Sequence, residues 1–240
     1  MVKTYIVTGA SRGLGFEFVK QIAAAGNIVF ACARNPDASK ALVDLVDNKK
    51  VFAVKLNTVS QESIKAAAAE IDAKAPEGAD YLINNAGICG TMGLDFEAST
   101  PEELANVFNT NLVAVNEVTK AFVPILRKRG PDQIKKILNM SSILGSIGQM
   151  EDADGWGFGV AYCVSKAALN MLTRMTANKL GKENFVVFAS HPGHVMTDMG
   201  GSDAPTTPEQ SIRGQLANLE KFGKEENGLY YDFEGNAMAW

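Results

Sequence analysis

Within the run AYCVSKAALNML, residues 161–172, the phenol of Tyr162 stands four residues before the ammonium of Lys166. On a helix, positions i and i+4 are neighbours, so a hydroxyl and a cation reach one point in space. The same spacing serves two amphipathic side chains that only reach for solvent, so the pair needs support from elsewhere in the chain. A second such stretch is TGASRGLG near the start, with Gly9, Gly13 and Gly15 in the spacing G-x-x-x-G-x-G. Glycines there let the backbone turn sharply and let a pyrophosphate approach amide N–H groups at the positive end of a helix. Sites that take NAD place a carboxylate about 20 residues further on. Here that place is Ala33 followed by Arg34, with Asp37 beyond Pro36, and Arg12 sits inside the glycine turn. Two guanidiniums without a carboxylate suit a 2′-phosphate. A unit-charge pair about 4 Å apart is worth ~1 kcal/mol in water and ~4 kcal/mol at an intermediate dielectric, so even the lower figure favours NADP(H) over NAD(H) several-fold.

These groups need elements to carry them. Short β-rich runs alternate with helical stretches from end to end: KTYIVTG, NIVFACAR, KVFAVKLN, DYLINNAG, KKILNMSS, FVVFASHPG and GLYYDF are the expected strands. They are nearly continuous in apolar residues, as parallel strands covered on both faces are. Helices are expected over 13–25, 61–74, 101–129, 161–180 and 208–222. Before the third, Thr100 can cap, Pro101 suits the first turn and Glu103 can complete a capping box, while Pro124 can bend its far end. With no linker, repeat or low-complexity tract, the alternation predicts one doubly wound α/β domain over 1–240, its mainly parallel sheet flanked by helices and joined by right-handed crossovers.

Bulk properties narrow the function. The 240 residues are 46% hydrophobic and 21% charged, with a net charge of −4, the wrong sign for a nucleic-acid binder. No run approaches the ~18 apolar residues of a membrane span. MVKTYIVTGA enters a strand pattern at once, leaving no room for a signal or transit peptide. Cys32, Cys89 and Cys163 are sparse and odd in number, which predicts reduced thiols and a cytoplasmic setting. His191 and His194 are the only histidines and no carboxylate cluster accompanies them, so no metal site is expected.

The ordered series TGASRGLG, NNAG at 84–87, TNL with Asn111, NMSS ending at Ser142, Tyr162-x-x-x-Lys166 and HPGHVMTDM resembles the classical short-chain dehydrogenase/reductase family, over essentially the whole chain. NMSSILGSIG, HPGHVMTDMGG with APTTPEQS, and the stretch NGLYYDFEGNAMAW are similar to sniffer-type carbonyl reductases and related fungal ketoreductases. The resemblance implies a Rossmann-type fold and an NADP(H)-dependent oxidoreductase that passes hydride to an aldehyde or ketone. It makes Tyr162 the general acid, its phenol pKa brought down from ~10 by the Lys166 cation and the oxidised nicotinamide. Lys166 would also bond the nicotinamide ribose. Ser142 would hold the substrate oxygen, with Ser141 the next candidate, and Asn111 would distort its helix and anchor a proton-relaying water. The cofactor would lie along Gly9, Ser11, Arg12, Leu14, Gly15, Arg34, Asn57, Asn85, Val195 and Thr197, besides Tyr162 and Lys166. Asn57 replaces an aspartate common in the family, but an amide can donate as well as accept. Asn84 and Asn85 also suit a turn after the fourth strand.

The interval from Ser142 to Tyr162 is longer than in many members and contains GQMEDADGWGFG. Trp156 and Phe158 between glycines suit either a substrate-pocket wall over 148–159, selecting a bulky or apolar carbonyl compound, or an aromatic plug on the surface. His194, Met196 and Met199 suit the opposite wall or packing. Cys163 points away from the i, i+4 face and reads as core or interface; Cys89 falls nearer the expected site. Helices such as 101–129 and 161–180 often pair between subunits in the family, while some carbonyl reductases of this type are monomers, so the pattern is compatible with a homo-oligomer or a monomer. One rival reading runs the chemistry oxidatively with NAD. Another binds the cofactor without turnover, which the intact Asn, Ser, Tyr and Lys set argues against.

Overall fold

The computed structural model describes residues 1–150 and 159–240. Seven strands form one sheet in the order β3-β2-β1-β4-β5-β6-β7: β1 (Thr4–Thr8), β2 (Ile28–Ala33), β3 (Val51–Lys55), β4 (Tyr81–Asn84), β5 (Lys135–Met140), β6 (Phe185–His191) and β7 (Tyr230–Asp232). Every neighbouring pair is parallel, so the sheet is wholly rather than mainly parallel. The seven expected strands are all present.

Both faces are covered, which is why the strands read as apolar runs. On one face α1 (Gly13–Ala24), α2 (Lys40–Val43) and α7 (Pro208–Lys221) bury Phe18, Ile22, Leu42, Ile212 and Leu219 against Val7, Ile83 and Phe188. On the other, α3 (Gln61–Lys74), α5 (Ala114–Arg127) and α6 (Val160–Leu180) bury Ile64, Ile71, Phe122 and Leu180 against Ile6, Leu82 and Val187. This is the doubly wound Rossmann-type arrangement. The order reverses between β1 and β4, and the loops at their carboxyl ends part to opposite faces, leaving the crevice where ligands bind in such sheets.

The stretch expected as one helix over 101–129 is three segments: α4 (Pro101–Phe108), a π turn (Asn109–Val113) and α5. The Asn111 amide anchors this turn to neighbouring main chain, and the extra residue of a π turn accommodates it. Thr100 caps α4, its Oγ1 accepting from Glu103 N at 3.2 Å. The expected capping box does not form, because the Glu103 carboxylate instead accepts from the Thr91 main-chain N–H. Ser60 caps α3, and Thr207 with Gln210 makes a full capping box on α7. By contrast α1 and α6 have no side-chain cap. The helix α2 and the 3-10 turns are too short for a periodic signal in sequence.

Candidate active site

The glycine turn follows β1. Gly9 has φ +68° and Gly13 φ +55°, backbone that glycine adopts at little cost. A Cβ on Gly15 would collide with the Gly9 carbonyl and stand 2.6 Å from Asn85 Nδ2. The turn therefore packs as closely as backbone allows and leaves the first N–H groups of α1 without a side-chain cap. Those donors, at the positive end of a helix dipole, fit a diphosphate. Asn85 serves the turn from below: its amide donates to Thr8 O at 2.9 Å and Gly9 O at 3.4 Å. Leu14 is half-buried against the α1-side core, and the Ser11 carbonyl accepts from Ser39 Oγ at 2.7 Å, tying the turn to the segment after β2.

At that segment Arg34 is exposed just past the end of β2, and no carboxylate pairs with it among the described residues. Asn57 follows β3, next to β2, where Leu56 N donates to Ala33 O at 2.8 Å. Asn57 is occupied locally, its Oδ1 accepting from Val59 N at 3.4 Å. Arg12 pairs with Asp198, both side chains being largely exposed. Val195 is buried and bridges Thr206. Thr197 Cγ2 lies 3.9 Å from where a Cβ on Gly13 would stand, so the 195–200 segment sits over the glycine turn. Arg12–Asp198 is thus a clasp across the mouth of the crevice. His194, Met196 and Met199 are exposed, and His194 Nε2 lies 2.7 Å from Gly200 O.

Further along the crevice, Gly87 lies against the second cluster. A Cβ there would be 3.1 Å from Asn111 Oδ1 and 3.7 Å from Lys166 Nζ. Tyr162 and Lys166 both sit buried on α6, with Lys166 Nζ 5.5 Å from the Tyr162 ring centroid. Lys166 donates to Met140 O at 2.8 Å, which hangs its ammonium at the carboxyl end of β5. Burial alone lowers the Lys166 pKa to about 8. Ser142 follows two residues after Met140 and is buried, and its Oγ accepts from Leu144 N at 3.3 Å.

The lowering expected of the Tyr162 pKa rests on the oxidised nicotinamide as well as on Lys166, and the protein by itself sets a different balance. Burial pushes the phenol well above its ordinary value, outweighing the hydrogen bond with Ser142 that pulls it down, and the ammonium is aimed at Met140 O rather than at the phenol. Asn111 lies where its helix is distorted, as expected, in the π turn. Its side chain accepts from Ile88 N at 2.9 Å and donates to Ile88 O at 2.8 Å and Ser165 Oγ at 3.0 Å, so the amide is spent on protein. Asn84 does not stabilise the turn after β4. Its amide is buried and bonds Thr119 Oγ1 at 2.9 Å and Asn139 Oδ1 at 2.8 Å, joining β4, β5 and α5.

Several contributors carry no motif. Met140 acts through its carbonyl, which no residue type reveals. Ser165 links Asn111 to α6, its Oγ donating to Tyr162 O at 2.7 Å. His191 attracts notice in sequence only as a candidate metal ligand, yet its Nδ1 accepts from Ile143 N at 3.2 Å. The segment after Ser142 is pinned by the far end of the chain: Ser146 Oγ donates to Ala239 O at 2.7 Å and Gly148 N to Trp240 O at 2.8 Å. Trp240 stacks on Tyr230 with centroids 5.5 Å apart. The expected wall at Trp156 and Phe158 lies outside the described residues. Among the described residues the three cysteines are free, no cluster of His, Cys, Asp or Glu could hold a metal ion, and no helix is long and apolar enough to cross a membrane.

A glycine cradle under an uncapped helix, with a buried Ser–Tyr–Lys cluster beyond it, is accompanied by a decisive match. The family model described as short chain dehydrogenase covers residues 3–207. The chain belongs to the short-chain dehydrogenase family. Within it, an oxidoreductase of Schizosaccharomyces pombe is 33% identical over 99% of this chain and 98% of its own. Norsolorinic acid ketoreductase of Dothistroma septosporum is 32% identical over 99% of this chain and 92% of its own. Among solved structures, the NADPH-bound carbonyl reductase from chicken fatty liver matches at TM-score 0.92 and 34% identity, covering 100% of this chain and 99% of that one. Carbonyl reductase Sniffer of D. melanogaster matches at TM-score 0.92 and 30% identity, with 100% of both chains covered. The protein is an oxidoreductase of this short-chain dehydrogenase group, similar to sniffer-type carbonyl reductases and fungal ketoreductases.

Proposed function

We propose that the protein is an NADPH-dependent carbonyl reductase, acting through one catalytic domain over residues 1–240 on an aldehyde or ketone. The observation that carries this reading is the buried Tyr162, held as a neutral phenol beside Ser142 and Lys166. A protonated phenol is the form that gives its proton to a carbonyl oxygen, and burial keeps it protonated in the free protein. For the cofactor, the glycine cradle and bare α1 N-terminus fit the diphosphate. Arg34, with no carboxylate at the end of β2, fits a 2′-phosphate, and a relative of the same fold holds NADPH.

Bound there, NADPH supplies the hydride that reaches the carbonyl carbon. Ser142 Oγ accepts from Leu144 N and its hydroxyl bonds the Tyr162 phenol, so a substrate oxygen entering beside both would take over that hydroxyl hydrogen. Tyr162 Oη delivers the proton to that oxygen and becomes phenolate. Lys166, with a pKa of about 8, exchanges protons near neutrality and is the group through which the phenol is reloaded. Because the Asn111 amide is committed to Ile88 and Ser165, a relay water at this position would rest on the main chain of the π turn.

The test is Tyr162→Phe, assayed by NADPH consumption with a panel of aldehydes, quinones, diketones and aryl ketones. Loss of turnover is expected, with NADPH binding nearly intact; undiminished turnover would overturn the mechanism. Rates with NADPH should exceed those with NADH several-fold.

A further inference from the structure

The short 3-10 turn Ile143–Gly145 directly follows Ser142, and each of its leading N–H groups has a distinct acceptor. Leu144 N is held by Ser142 Oγ at 3.3 Å, Gly145 N by Ser142 O at 2.8 Å and Ser146 N by Ile143 O at 2.9 Å. The remaining donor, Ile143 N, is held by His191 Nδ1 at 3.2 Å. An Nδ1 that accepts leaves the ring proton on Nε2. His191 is the last residue of β6 and leads into Pro192, Gly193 and Val195, the segment over the glycine turn. Its own carbonyl is anchored by Gln215 Nε2 of α7 at 3.4 Å.

We infer that His191 is a positioning residue for Ser142: by holding the Ile143 N–H, its ring fixes the peptide that carries the serine and keeps the Ser142 hydroxyl beside the Tyr162 phenol, where the substrate oxygen would enter. Without that acceptor, two adjacent N–H groups compete for Ser142 Oγ, and a hydroxyl drawn into the turn presents its hydrogen to the substrate in the wrong direction. The ring also joins the strand end that precedes the cofactor segment to the turn that holds the substrate, so the two halves of the site keep one spacing. This inference rests on the proposed role of Ser142 and goes beyond it. Nothing in the sequence motifs assigns this histidine a task.

The experiment is a cycle of Ser142→Ala, His191→Leu and the double variant, with kcat, KM and NADPH Kd measured on each. His191→Leu should lower kcat about tenfold, as expected for a buried donor left without its partner, with NADPH Kd within about twofold of the parent. His191→Asn, whose Oδ1 stands near the place of Nδ1, should recover kcat to within about threefold, whereas His191→Gln, whose oxygen stands near Nε2, should not. In the Ser142→Ala background, His191→Leu should cost nothing further. Additive losses in the double variant, or equal kcat for the Asn and Gln variants, would overturn the positioning role while a defective Ser142→Ala left the proposed chemistry standing. An undiminished Ser142→Ala would overturn the role of Ser142 and this inference together. If His191→Leu does not fold, the Asn and Gln pair decides alone.

Discussion

Tyr162 and Lys166 are pushed by the same burial in opposite directions: the phenol holds its proton more tightly and the ammonium less tightly. The acid that acts and the group that reloads it are thereby driven apart in proton affinity, so a proton passes downhill from the ammonium to the phenolate. For kcat/KM of carbonyl reduction this predicts an alkaline limb near pH 8, where Lys166 loses its proton, measured as a pH–rate profile on the free enzyme. A profile flat to about pH 10 would contradict it. Arg12 carries a second residue-scale consequence. In the clasp it faces Asp198, so a 2′-phosphate must compete with that carboxylate. Exposed pairs of this kind are worth about 0.2–1 kcal/mol, so Asp198→Asn should tighten NADPH by roughly 1.5- to 5-fold and leave NADH unchanged, read by fluorescence titration. The residues expected to carry the chemistry were legible by their spacing and order along the chain, not by their types, since Ser and Lys are common in it. Lys166's acceptor was not, since a Met140 carbonyl looks like any other.

At the scale of elements, sequence periodicity found each strand and each long helix, because apolar residues recur with the period that burial demands. It did not show the π turn at 109–113, which the resemblance implied only as a distortion at Asn111, nor that Glu103 would prefer the Thr91 N–H to its own helix end. Both depend on the segment after β4, far away in sequence. The glycine turn is the element most sensitive to change. Gly15→Ala would force its methyl group against the Gly9 carbonyl and Asn85. A loss of roughly 1–3 kcal/mol in stability is expected from such overpacking, checked by denaturant unfolding, together with weaker NADPH binding, since the cradle itself must open.

For the whole molecule, the acid side of the stability curve has an identifiable owner. Burial lowers the His191 pKa to about 4, with His194 adding to the shift and Asp232 on the neighbouring strand opposing it. An unfolded histidine titrates near 6.5. Between the two values the unfolded chain binds more protons than the folded one, so stability is full above about pH 6.5 and falls as pH drops to about 4. The loss is on the order of 3 kcal/mol. His191→Asn should flatten that window in urea melts taken across it. The carboxylates with lowered pKa values, Asp47, Glu117 and Glu183, act only at the acid end of this range and below. The doubly wound sheet itself was readable from strand–helix alternation. Its strand order was not, because pairing partners lie too far apart for local patterns to name them.

That distance in sequence matters most at one place, where Ser146 and Gly148 are tied to Ala239 and Trp240. These partners follow Ser146 by some 93 residues. The glycine turn itself is built from near neighbours in sequence, whereas the position of the segment after Ser142 depends on a contact that spans more than a third of the chain.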